Sequence, residues 1–171
     1  MANNLYQYYV EGQNEEKIVN SLKSELRCIQ TGKVTVFDVV KRRLTKNKLM
    51  QLKQGTIVVL VFDTDTDSVD VLEENLKIIR NQNFIKDVIC VTQVRNLEDE
   101  LVRSCSIKSA RELTGSRSNA DYKKAINAEK SLGAKLMSHK FQIEKFWNET
   151  PDGAFANITN EASKIKRVSA K

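Results

Sequence analysis

Three carboxylates stand at alternate positions in Val61-Phe62-Asp63-Thr64-Asp65-Thr66-Asp67-Ser68, directly after an unbroken apolar run. Carboxylates gathered this closely repel one another unless a cation or a proton sits among them. Hard cations such as Mg2+ and Mn2+ take oxygen ligands and let phosphate complete their shell. A second acidic stretch, Tyr9-Val10-Glu11-Gly12-Gln13-Asn14-Glu15, follows another apolar segment. Glu11 closes that segment, and Glu15 falls about one helical turn further on. If the two segments are neighbouring strands, Glu11 and Glu15 share a crevice with Asp63 and Asp65, and Asp67 adds a further oxygen donor. Gly12 then serves a tight strand-to-helix turn. Structural roles compete with this chemistry: an acidic turn can start a helix, and Glu15 can complement a helix dipole. The chemical interpretation rests on both acidic stretches lying at corresponding strand ends. An EF-hand loop also alternates acidic residues, but its Gly and terminal Glu are missing here, and a strand rather than a helix comes first.

The elements that must position these groups follow from periodicity. Leu5 to Val10 is aromatic and β-prone, and Thr56 to Phe62 is a β-branched run suited to burial on both faces of a parallel sheet. Lys33 to Phe37 and Asp87 to Val94 predict two further strands. Ile18, Val19, Leu22, Leu26 and Ile29 recur at helical spacing, with Asn14 as the expected cap, and so do Val71, Leu72, Leu76 and Ile79 between Ser68 and Asn81. A basic amphipathic helix is expected from Asp38 to about Lys53, with a break near Thr45, and another helix from Leu97 to Cys105. Short helices are expected at 109–113, 119–128 and 139–147. Strands alternating with helices point to an α/β domain with a mainly parallel central sheet of about four strands and a helical C-terminal extension. In such sheets, ligands bind beyond the carboxyl ends of the strands. Residues 1–150 form the expected domain, and 151–171 read as a weakly ordered tail.

Composition narrows the function classes. With 40% hydrophobic and 29% charged residues, the chain has the balance of an ordinary globular protein. The longest apolar run is too short to span a bilayer, and the N-terminus has no signal-peptide pattern, so a cytoplasmic protein with no membrane association is expected. Cys28, Cys90 and Cys105 are odd in number and widely spaced, which fits reduced thiols. Residues 1–102 hold 14 basic and 15 acidic residues, against 14 and 7 in residues 103–171. An acidic site beside a basic half suits a polyanion that needs a metal, so nucleic acid is the expected partner.

Glu11-Gly12 after one strand and Asp63-x-Asp65 after another, some fifty residues on, resemble the Toprim domain of topoisomerases, primases and several nuclease families. The Glu11 to Glu15 spacing is similar to the Glu-Gly-x-x-Glu form of the OLD and RloB-like nuclease branch, over roughly residues 5–105. Asp67-Ser68 stands where many Toprim domains carry Gly, which sets topoisomerase or primase detail aside. The resemblance implies a Toprim-like fold and hydrolysis of DNA or RNA phosphodiesters with Mg2+ or Mn2+. Asp63, Asp65 and Glu15 would hold metal, and Glu11 would bind metal or act as general base. It further implies a second-metal ligand at Glu98 or Glu100, and a charge-stabilising Lys, for which Lys123 is the candidate. Arg117, Lys123 and Lys124 would contact phosphates. The family association with phage defence implies a separate ATPase or other defence subunit as partner, and self-association is compatible with it. The competing expectation is a non-catalytic metal- or nucleic-acid-binding subunit of a larger complex. A phosphoacceptor receiver fits poorly, because it needs its acidic pair after the first strand. His139, the lone histidine, has no metal-ligand partner nearby in sequence and is expected to pack or face solvent.

Overall fold

The computed structural model describes residues 3–167. Its centre is strand β3 (Thr56–Asp63), in which every residue but the last is buried, as a β-branched run with both faces covered requires. β1 (Leu5–Val10) lies on one side and β4 (Ile85–Gln93) on the other, with β2 (Lys33–Val36) outside β1. All pairings are parallel, in the order β2-β1-β3-β4. The expected four-stranded parallel sheet is therefore present. The registers Val10↔Val61 and Asp63↔Gln93 bring the carboxyl ends of β1, β3 and β4 to one rim.

Side chains alternate across the sheet, as the strand period of two demands. Tyr8, Val10, Val59 and Val61 face a core completed by α1 (Gln13–Asn20), α4 (Leu97–Ser104), α5 (Asn119–Ala128) and α6 (Leu132–Ser138). Tyr9, Val58, Leu60 and Phe62 face the other way, against Leu72, Leu76 and Ile79 of α3 (Asp70–Arg80). Among the described residues no helix is long and apolar enough to cross a membrane. The three cysteines are free, and burial pushes each thiol pKa up, which makes them poor nucleophiles.

Several expected elements differ. Of the helix expected from Asp38 to Lys53, only α2 (Lys46–Leu49) forms. Asp38 turns the chain instead: its Oδ1 accepts from Val40 N at 3.1 Å and Lys41 N at 3.2 Å. The buried amide of Asn75 then holds the turn, accepting from Leu44 N at 2.7 Å and donating to Val39 O at 2.7 Å and Arg42 O at 2.8 Å. These side-chain bonds replace helical ones. His139 to Trp147 is a series of turns rather than a helix, because Lys140 and Trp147 adopt left-handed backbone (φ 59° and 54°). The helix lies earlier, as α6, where the Glu25 carboxylate accepts from Gly133 N at 3.0 Å.

Residues 151–167 are not a loose tail. Phe155 is buried and stacks on Phe62 with ring centroids 6.0 Å apart. Glu161 pairs with the outer edge of β4: its N–H donates to Cys90 O at 2.8 Å and its Oε2 accepts from Cys90 N at 3.1 Å. Arg167 N donates to Cys28 O at 2.8 Å. The segment covers a sheet edge that would otherwise expose unpaired backbone. The final four residues of the expected tail lie outside the described residues.

Candidate metal centre at the strand ends

Glu11 and Asp63, separated by 52 positions in sequence, meet at the rim of the sheet: the Asp63 N–H donates to Glu11 Oε2 at 2.9 Å. The contact follows from topology, since β1 and β3 are adjacent and end in register. The Asp63–Asp65 loop is further tied to the end of β4. Thr64 N donates to Gln93 O at 3.2 Å and Arg95 O at 3.1 Å, and Arg95 N donates to Thr64 Oγ1 at 2.9 Å.

Gln93, buried at the end of β4, was not anticipated. Its amide donates to Asp63 Oδ1 at 2.6 Å, while its Oε1 accepts from the Trp147 indole at 3.2 Å. Trp147 N in turn donates to Glu100 Oε2 at 2.8 Å. Glu100, Trp147, Gln93, Asp63 and Glu11 thus form one chain of hydrogen bonds, which accounts for a tryptophan held in left-handed backbone. A glutamine closing the strand after the apolar run Val88–Val91 was the signal available in the sequence.

Glu15 occupies the first turn of α1, where the backbone N–H groups of its own residue and Gly12 act to lower its pKa against burial. The Gly12 backbone is ordinary extended chain (φ −151°), so its value is room rather than conformational freedom. A Cβ there would sit 3.0 Å from Glu15 Oε2. Asn14 lies inside the helix rather than capping it, and its Nδ2 is buried without a partner.

Burial and like charge dominate the electrostatics. Burial, then Glu11, Glu15 and Asp65, push the Asp63 pKa up to about 9 against the opposing Gln93 bond. Glu11 is raised to about 7, chiefly by burial, with the Asp63 N–H opposing and Asp38, Glu15 and Asp65 adding repulsion. Glu15 is raised by burial and by Glu98, and lowered by Lys123. Glu98 of α4 and Lys123 of α5 are thus the outlying charges that act on Glu15. Asp38, at the end of β2, is a further contributor that the strand-end rule could have found.

The remaining candidates divide cleanly. Glu100 is not at the crevice: it is fully buried. Its Oε1 accepts from Val94 N at 3.0 Å and Arg103 at 2.8 Å, and its other oxygen from Trp147. It is a structural anchor, which leaves Glu98 of that pair. Asp67 is exposed on the loop beyond Asp65. Arg117 precedes α5 and is exposed, and Lys124, also exposed, projects from α5 about 100° around the axis from Lys123. Neither is among the charges that act on Glu15, as Lys123 is.

No family model, curated protein or solved structure matches this chain. What the strand ends can do must follow from their own chemistry. Among the described residues no three Asp, Glu, His or Cys side chains stand in a coordination set. Glu11 and Asp63 instead each have an oxygen engaged by a protein donor. The donor set still fits a hard divalent ion, being all oxygen and carrying more negative charge than its burial tolerates. The Tyr122 hydroxyl is buried without a hydrogen-bond partner, near enough to Glu98 and Glu15 for their charges to add to burial in raising its pKa. A buried hydroxyl without a protein partner is completed by water or a ligand. Only tertiary packing brings Tyr122 here, and nothing in the sequence announces it.

Proposed function

We propose that the chain is a divalent-metal-dependent nuclease of Toprim type, hydrolysing phosphodiesters at the rim formed by Glu11 and Asp63. The supporting observation is the 2.9 Å contact that joins the two acidic turns across β1 and β3. Asp63, Asp65 and Glu15 would hold Mg2+ or Mn2+, and Glu98 would be the ligand for a second ion. The bound cation supplies charge neutralisation at the phosphate and acidifies water. Glu11, with a proton affinity near neutrality, takes the proton of the attacking water. Lys123 offsets charge developing on the phosphate from the α1 side. Gln93 and Trp147 orient Asp63 without touching substrate. The expected test result is cleavage of DNA or RNA that requires Mg2+ or Mn2+ and disappears in Asp63→Ala. Metal-loaded protein that cuts neither polymer, alone or with the products of neighbouring genes, contradicts the proposal.

The engagement of Glu11 and Asp63 by protein donors favours one other reading, a binding subunit that takes up metal without turnover. A metal-induced thermal shift lost in Asp63→Ala, in a preparation that never cleaves, would select it. A defence-system setting with a separate ATPase belongs to this proposal and is tested by size exclusion with the neighbouring gene product.

A further inference from the structure

Between Leu26 and Phe62 the chain carries eight basic residues and one acidic residue, Asp38, whose carboxylate is turned back onto Val40 N and Lys41 N. A cavity of about 610 Å³ opens over the β1–β2 side of the sheet, walled by Lys33, Lys48 and Lys53 and lined also by Tyr6, Gln7 and Tyr9, with no Asp or Glu in its lining. That volume is in the range of small-molecule sites and suits a nucleotide. The positive surface does not stop there. Lys48 Nζ and the Arg42 guanidinium carbon each lie 4.8 Å from the centroid of the Phe37 ring, an arrangement that fixes two flexible cations in place. Phe37 N donates to Val10 O at 2.8 Å, one residue before Glu11, and Tyr9 of the cavity meets Phe37 edge-on at 6.1 Å. The cavity lies at the amino ends of β1, β2 and β3, at the other end of the sheet from the carboxylates, and Lys48 joins it to the cations over Phe37. Arg43 is not part of it, being paired with Glu74 at 2.6 Å.

We propose that this cavity and the cations over Phe37 bind one flank of a single-stranded nucleic acid, with phosphates on Lys33, Lys48, Lys53 and Arg42 and a base beside Tyr6. Single strands are favoured because the half-buried Tyr6 ring in the cavity lining can meet an unstacked base, which a duplex does not present. The link to the crevice rests on the nuclease proposal; the binding surface does not.

The test is fluorescence anisotropy of a labelled short oligothymidine with the full chain in EDTA, so that nothing is cut. Lys33→Gln, Lys48→Gln and Lys53→Gln together should weaken binding about tenfold and lower the slope of log K against log salt by about 2, from three phosphate contacts. Lys77→Gln, Lys108→Gln and Lys140→Gln, which remove the same charge from exposed positions elsewhere, should leave affinity within about twofold. Equal losses in both triple variants, no loss in the first, tighter binding of a duplex, or a free mononucleotide competing as well as the strand would each overturn the proposal. Strand binding that depends on the three lysines in a protein that never cleaves supports it and sinks only the nuclease reading. Cleavage indifferent to the three lysines does the reverse.

Discussion

Asp63 and Glu11 are poor anions while no cation neutralises them, and this makes stability depend on pH. Their folded pKa values, about 9 and about 7, lie above the ordinary carboxylate values. The folded protein therefore binds more protons than the unfolded chain between those limits. The stabilisation is full below pH of about 4 and is lost as pH rises through about 7 to about 9. Melting temperature of metal-free protein, followed by differential scanning fluorimetry, should fall from pH 5 to pH 9, and Asp63→Asn should remove most of that slope. Metal binds the deprotonated forms, so Mn2+ should raise the melting temperature at pH 8 far more than at pH 5. Gln93→Leu should weaken Mn2+ binding by about 10- to 100-fold in calorimetry, since outer partners of metal ligands carry that much affinity. At this scale the sequence was informative about Glu11, Glu15, Asp63 and Asp65, because strand ends in parallel sheets gather on one rim. It was nearly silent about Gln93 and wholly so about Tyr122, whose roles come from segments far apart in the chain.

The acidic first turn of α4 shows how neighbours two positions apart serve different ends. Glu98 is half exposed toward the crevice side, whereas Glu100 points inward to Val94, Arg103 and Trp147. Glu100→Ala should cost about 3 kcal/mol in urea unfolding, by orphaning buried donors. Glu98→Gln should stay within about 0.5 kcal/mol of wild type while reducing metal affinity. The four strands and most helices were legible because period-two and 3.6-residue patterns are strong in them. The stretch after β2 was not, because its basic amphipathic pattern suits a helix until Asp38 and Asn75 supply other partners for the backbone. Its charge was hidden as well, since acidic residues elsewhere in the first 102 bring that half close to neutrality.

As a whole, the molecule uses its C-terminal third to brace the site rather than to extend away from it. Trp147 reaches Asp63 through Gln93, and Phe155 closes the opposite core by stacking on Phe62. Phe155→Ala should cost about 3–5 kcal/mol, read as a lower urea midpoint with unchanged slope. The segment was expected to be loose because it is short of helical periodicity and rich in turn formers. Its order comes from two anchors, Phe155 and Ile165, and from pairing with β4, none of which a local pattern registers. The most direct measurement of the central claim is the anomalous difference density of a crystal soaked in Mn2+ near pH 8. The account predicts a peak at the rim with oxygen ligands from both acidic turns, Glu11 or Glu15 and Asp63 or Asp65, and none in Asp63→Ala. A fully soaked crystal with no peak there, or with manganese bound only elsewhere, would contradict it.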